Sequence, residues 1–383
     1  MSSQSPPSLV NLFFDTFKPT TYVPAQEDYD GLEYRYARFV FRPALFIFEG
    51  ILLGFIVVYA GVYLYANYSN SRRAQKWLKA HSELLSSQFS KPATPSSLLT
   101  DGAADMFAFS TGRRNVQSLH TIFTFLPHHD LFQLAFTYGW IMYDLRYSPN
   151  DDVTLDFRLG TTGSASGANI PGFVWAIVDK NELNTIRTSR WDLTLTKTQD
   201  NHTVPSDCVV MSEVADVTEA LLKHSATAPF LTALKDDNAL KYFKSFTITD
   251  LPPTRPNGRL DASQKERHVT LSLRLASSES EMAKTVQLVK AVFGIIDALE
   301  SGRYNIRAES VRKLKIAREE LDKELLKDAT EEKSKEAEES KRAAKRRAEE
   351  ERLSKLSAEQ QRKAMEKEKK KALRKGTAKV RMG

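Results

Sequence analysis

The chain has 383 residues, 55 Lys/Arg against 48 Asp/Glu and a formal net charge of +7, enough length for one sizeable domain with additional segments. Its single cysteine, Cys208, excludes an intrachain disulfide and suits a reducing compartment for the main domain. The charge is uneven: residues 301–383 carry 27 Lys/Arg against 17 Asp/Glu, while residues 1–300 are slightly acidic, which points to a polyanionic partner for the C-terminal fifth and argues against a uniformly basic fold.

Residues 1–42 contain Pro and Tyr without a sustained period and read as a short, loosely ordered arm. A transmembrane helix is predicted over 43–68, centred on "ALFIFEGILLGFIVVYAGVYLY", Ala44 to Tyr65. That stretch is long enough to cross a bilayer, and too long and too far from the start for a cleaved signal peptide. Tyr63, Tyr65 and Tyr68 at one end, with Phe46 and Phe48 near the other, resemble an aromatic belt. Glu49 is the only charge inside. Either it is an intramembrane group or it marks where the hydrocarbon begins; Ile51 to Tyr68 still offers most of a span, which favours the boundary. The flanking cations are too balanced to orient the span: Arg35, Arg38 and Arg42 precede it, and Arg72, Arg73, Lys76 and Lys79 follow. The lone cysteine and the basic tail favour a cytosolic C-terminal side. Residues 69–103 read as a juxtamembrane helix and linker. Trp77, His81, Leu84 or Leu85, and Phe89 recur at helical spacing, and "KPATPSSLLTDGAAD" comes next as the linker.

Residues 104–300 read as a globular α+β domain with a mixed or antiparallel sheet and packed helices. "DDVTLDFRLG" alternates strictly, with Val153, Leu155, Phe157 and Leu159 on one face, the pattern of a half-buried strand. "PGFVWAIVD" is apolar on both faces, as a central strand would be. "WDLTLTKT" and "HVTLSLRLA" alternate again, and "CVVMS" and "KSFTITD" are shorter strand candidates. Helices are predicted in "LFQLAFTYGWIMYD", "VADVTEALLK" and "ESEMAKTVQLVKAVFGIIDALE"; in the last, Met282, Val286, Val289, Phe293 and Ile296 form one stripe.

Residues 301–383 read as a long charged helical region ending in a basic tail. Val311, Leu314, Leu321 and Leu325 offer a short apolar seam for a partner helix; beyond Ala329 bulky apolar residues nearly vanish and no heptad is sustained. Glu331–Lys335, Glu338–Arg342, Glu351–Lys355 and Glu366–Lys370 stand at i, i+4 in the favourable order, each worth about 0.2–0.5 kcal/mol to an exposed helix. From Arg362 to Gly383 there are ten Lys/Arg and two acids. The expected phosphate contacts are Arg362, Lys363, Lys367, Lys369, Lys370, Lys371, Arg374 and Lys375, because charge without an apolar face suits a nucleic acid better than an acyl-chain surface; a merely solubilising end is the alternative.

Residues that carry catalytic chemistry are hard to find. "LGTTGSASGANIPG" is Gly-rich but lacks a Lys-Ser/Thr ending and lies between two strand candidates, so it reads as a hairpin loop. In "PHHD", adjacent residues do not converge on one ion, and Asp130 before an apolar helix reads as an N-cap. Cys208 sits in an apolar strand without an activating partner and reads as a structural thiol. No catalytic residue, metal site or cofactor is predicted.

The order of parts resembles a known family. A single span is followed by "NSRRAQKWLKAHSELLSSQF", a domain carrying "SEVADVTEALL" and "KSFTITD", and a charged helix with a basic end. This is similar to the calumin family, the coiled-coil-domain subunit of the PAT complex of the endoplasmic reticulum, from about Glu49 to the end. Asn70 to Trp77 is the most specific stretch, and Glu49 occupies what looks like the family's acidic position before the span. The resemblance implies a luminal N-terminus, a cytosolic domain and tail, and a small membrane partner, Asterix. It further implies docking near the Sec translocon and the ribosome, and shielding of nascent multipass membrane proteins. Residues expected to hold the span or the partner are Glu49, Tyr63, Tyr65, Arg72, Arg73 and Trp77. The family's acidic luminal segment has no counterpart: the arm offers only Asp15, Glu27, Asp28, Asp30 and Glu33, too sparse for clustered calcium ligands, so a luminal calcium-binding role is disfavoured. The function expected is a non-enzymatic scaffold or chaperone subunit in the reticulum membrane; the alternative is a tether that binds RNA or anionic lipid without a chaperone role.

Overall fold

In the computed structural model the described residues are 31–354, apart from 37–38, 145–146, 148, 162–170 and 262–264. The chain divides into two units, with the boundary between Val62 and Tyr63. In the first, β1 (Tyr34–Tyr36) pairs antiparallel with β2 (Phe39–Phe41), so part of the segment read as irregular is a hairpin. Glu33 ties its ends by accepting from Arg35 and Arg42 at 2.9 and 3.0 Å. Pro43 opens a single 3-10 turn, where its missing N–H costs nothing. Helix α1 (Ile47–Ala80) continues from it without a break. Ile51, Leu53, Ile56, Val57 and Val58 on it are all exposed, and α1 with its short continuation is long and apolar enough, among the described residues, to cross a membrane.

In the second unit α1 changes character. Ala66, Asn70, Ala74, Trp77 and Leu78 are buried, a single stripe at three- and four-residue spacing. Asn70 Nδ2 donates to the carbonyl of Ala103 at 3.0 Å, which satisfies the polar group the stripe buries. After α2 (Ser82–Gln88) come β3 (Leu99–Thr100), β4 (Asp105–Ser110), β5 (Ser118–Thr124) and α3 (Leu131–Tyr143). Next are β6 (Asp152–Thr161), β7 (Trp175–Asp179), α4 (Leu183–Ser189), α5 (Trp191–Thr194), β8 (Lys197–Gln199) and β9 (Cys208–Ser212). Then come α6 (Ala215–Leu222), α7 (Ala228–Leu234), α8 (Asp237–Leu240), β10 (Phe243–Thr249) and β11 (Glu266–Arg274). The chain closes through α9 (Glu279–Ala283), α10 (Val286–Glu300) and α11 (Ala308–Ser354).

The strands β3 to β11 form one antiparallel sheet in the order β3-β4-β5-β6-β11-β10-β7-β9-β8. The fold is α+β, as expected. One face carries the main core. Val153, Leu155 and Phe157 of β6, Val269 and Leu271 of β11, and Trp175 and Ile177 of β7 meet Trp77, Leu85 and the α10 stripe there. Phe293 of α10 sets its ring edge-on to Phe157 at 5.4 Å and to Phe89 at 5.8 Å, a favoured aromatic arrangement. The other face is covered only in part: Val174, Ala176, Val178 and Met211 pack with Ile186, Leu193, Leu321 and Leu325. Hence β7 is apolar on both faces while β6 alternates.

Three readings need correction. "WDLTLTKT" is not one strand: Asp192 is fully buried on Arg190 at 2.6 Å, the chain winds into α5, and only Lys197–Gln199 pairs with β9. The Gly-rich segment is not a hairpin loop, because β11 and β10 lie between β6 and β7. The helix predicted over 279–300 is divided at Lys284 and Thr285. There the Thr285 hydroxyl, 2.8 Å from the Met282 carbonyl, also meets His81 Nε2 at 3.2 Å.

The apolar seam of α11 belongs to this domain. Leu314 joins the main core and Leu321 and Leu325 the smaller one. Between them Arg318 places two nitrogens on Asp250, at 2.8 and 3.0 Å, and a third on Glu213 at 2.8 Å. Burial pushes the Glu213 carboxyl up and Arg318 opposes it. A Cβ at Gly172 would collide with the Asp250 carboxylate. Replacing Arg318 by Ala leaves two carboxylates buried without their cation, so Arg318→Ala should cost about 3–5 kcal/mol; a urea midpoint in detergent equal to that of the parent would refute the clamp.

A second prediction concerns His81. It is fully buried, with Nδ1 3.0 Å from the Trp77 carbonyl, and burial lowers its pKa from 6.5 to about 4. Its folded value lies below the unfolded one, so stability is full above about pH 6.5 and is lost as pH falls through about 4. The thermal midpoint should drop across that window and His81→Gln should flatten the drop; an identical slope in the variant rejects His81 as the proton acceptor.

Candidate membrane and partner interface

The residues expected at the end of the span fall into two groups. Tyr63, Tyr65 and Tyr68 are exposed, and Arg72 donates to the Tyr68 hydroxyl at 3.1 Å with its guanidinium 5.5 Å over that ring. A long cation beside a tyrosine suits a membrane–water boundary, where its stem lies along the helix and its charge reaches water. Glu49 is exposed in the first turn of α1. Arg73 and Trp77 look inward. Arg73 pairs with Asp151 at 2.5 Å and lies 5.5 Å from the Phe125 ring. Trp77 is 2% exposed, stacked on His81 at 3.8 Å and edge-on to Phe123 at 5.6 Å. The structure thus places these two inside the chain's own domain, with no surface offered by Trp77.

Asp151 also organises the loop that carries α3. Its second carboxylate oxygen accepts from the Leu126 amide at 2.7 Å, so the segments entering and leaving the loop are tied together beside Arg73. Asp130 caps α3, accepting from the amides of Phe132 and Gln133 at 2.9 and 3.2 Å, as the sequence predicts. His129 meets the Tyr63 ring edge-on at 5.9 Å. The sequence of α3 predicts a helix packed in the globular domain, yet none of its residues is buried. Its signal was present in composition: "LFQLAFTYGWIMY" contains no charge to define a water-facing side.

At the other end of the chain α11 has 47 residues, about 70 Å at 1.5 Å per residue. Arg255 pairs with Asp328 at 2.5 Å, and every residue from Glu331 to Ala344 is exposed. Glu338 and Arg342 lie 3.7 Å apart, while Glu331 approaches Lys327 at 4.0 Å. Arg362, Lys363, Lys367, Lys369, Lys370, Lys371, Arg374 and Lys375 lie outside the described residues. Cys208 is buried in β9, and burial pushes its thiol up to about 12, the behaviour of an inert structural thiol.

Against known proteins, a family described as PAT complex subunit CCDC47 matches residues 45–375. A UPF0674 endoplasmic reticulum membrane protein of Schizosaccharomyces pombe is 25% identical over 343 residues, 88% of this chain and 87% of that protein. A protein of Saccharomyces cerevisiae with the same UPF0674 designation is 27% identical over 125 residues, 33% of this chain and 30% of that protein. With the family's match running from the start of the span almost to the C-terminus, the chain belongs to the CCDC47 family of PAT complex subunits.

Proposed function

We propose that this chain is a non-enzymatic scaffold subunit for the insertion and folding of multipass membrane proteins at the translocon of the endoplasmic reticulum. Family membership and the reticulum-membrane names of its relatives support the compartment and the process. In this reading the span and the helix that continues it hold a small Asterix-like membrane subunit, other translocon components dock on the folded domain, and nascent clients are shielded mainly by the partner. The N-terminus is luminal; the domain and tail are cytosolic.

The observation that carries the tail's role is the asymmetry of α11. Its first five turns are fixed through Leu314, Arg318, Leu321 and Leu325, whereas residues 331–344 are bare. A helix held at one end and bare beyond projects its far end clear of the domain. Residues 331–354 alone extend about 36 Å, with the ten Lys/Arg of residues 362–383 still to come. Phosphates of ribosomal RNA are the partner such a tail fits, contacted without base reading and with counterion release.

Two outcomes are expected. The Asn201-His202-Thr203 sequon stays unmodified in native microsomes, and externally added protease cleaves within residues 104–300; a glycan on Asn201 places the domain in the lumen. Deleting residues 362–383 lowers ribosome co-sedimentation and flattens its dependence on salt while membrane insertion is unchanged; a truncated chain with the parent's salt slope means that the tail is not the RNA contact.

A further inference from the structure

We propose that α3 is a second membrane contact, a monotopic helix seated in the interfacial zone of the bilayer beside the point where α1 leaves it. The helix is apolar and exposed around most of its circumference. Leu131, Leu134, Thr137 and Ile141 are half-buried; at 100° per residue they form one stripe. Around the remainder, Phe136, Trp140, Met142 and Tyr143 are 71%, 46%, 84% and 82% exposed, and Tyr138, which falls between Leu131 and Leu134, is still 56% exposed. In water so much uncovered apolar surface is unfavourable by about 25 cal/mol per Å².

The occupant is indicated by where the helix begins. Asp151 fixes the base of its loop at Arg73. From there the chain reaches back to His129, whose ring meets Tyr63, ten residues earlier on α1 and about 15 Å nearer its apolar end. The start of α3 therefore lies at the level of the tyrosines that mark the membrane boundary. With 13 residues it measures about 20 Å, too short to cross a hydrocarbon core of about 30 Å. Its exposed Trp and Tyr are the side chains favoured at a headgroup boundary. A protein partner would cover one face; exposed apolar residues on several sides are matched by a fluid surrounding.

Trp140 can be told apart from the other three tryptophans, because Trp77 and Trp175 are buried and Trp191 is half-buried against the smaller core. The full-length chain is reconstituted in phosphatidylcholine vesicles with brominated or ordinary acyl chains. Brominated lipid should quench a component of the emission that disappears in Trp140→Phe, and acrylamide in the water should leave that component largely untouched. In a Phe136→Glu/Met142→Glu double variant, still held in the vesicle by its span, the same component should lose its lipid quenching and become accessible to acrylamide. If the Trp140 component in the parent is quenched by acrylamide and not by brominated lipid, the helix faces water; if by neither, another protein surface covers it. Either result, or equal lipid quenching of the parent and Trp140→Phe, overturns the proposal. The tail and ribosome measurements are independent of this outcome.

Discussion

Helix α1 must satisfy two solvents in succession, and the rest of the fold depends on that constraint. Up to Tyr65 most of its apolar side chains are exposed, which lipid tolerates and water does not. From Ala66 onward only one stripe is buried, and the sheet is built against it. Trp77 occupies the centre of that seam. Its indole stacks on His81 and meets Phe123, so a residue from the helix, one from its end and one from β5 lock together without water. A neutral imidazole fits there because both its nitrogens find partners, the Trp77 carbonyl and the Thr285 hydroxyl. Charging it would place an ion where nothing nearby compensates.

The sheet then handles its two faces differently. Over β7 and β9 both sides are dry, and the second side is closed by α4, α5 and the root of α11. Over β6 and β11 the second side keeps its polar alternation; His268 there contacts Asp156 at 3.0 Å, which holds the imidazole above its ordinary value. The Arg318 clamp sits within the closed part. A buried ion pair gains little over a well-packed apolar contact, since desolvation consumes most of the Coulomb attraction. Its contribution is register: three hydrogen bonds to Asp250 and Glu213 define one seating for a helix that otherwise offers only scattered leucines. A long charged helix held by leucines alone would slide by a turn at small cost. Fixing its root sets where its bare remainder begins.

Features that depend on neighbours along the chain are legible in the sequence. Twenty-one uncharged residues around a single Glu49 define a span because hydrocarbon demands length and lack of charge, and both are local properties. Strict alternation in 152–159, apolarity on both sides of 173–178, the Asp130 cap and the buried stripe from Trp77 to Phe89 were legible for the same reason, as was the family through Asn70 to Trp77. What each surface faces depends on contacts between residues far apart in the chain. The leucines of α11 read as a seam for another helix, since a sequence cannot say whether an apolar face meets its own sheet or a partner. "WDLTLTKT" read as a strand because the need of Asp192 for Arg190 is invisible to a period-two pattern. Strands β4 and β5 escaped notice, their alternation being short and interrupted by Ser, Thr and His. Helix α3 had the composition of a core helix, and in sequence a core helix and a lipid-facing helix are alike: both lack charge. The contacts that distinguish them, Tyr63 with His129 and Arg73 with Asp151, join residues 66 and 78 positions apart, and only a folded chain brings them together.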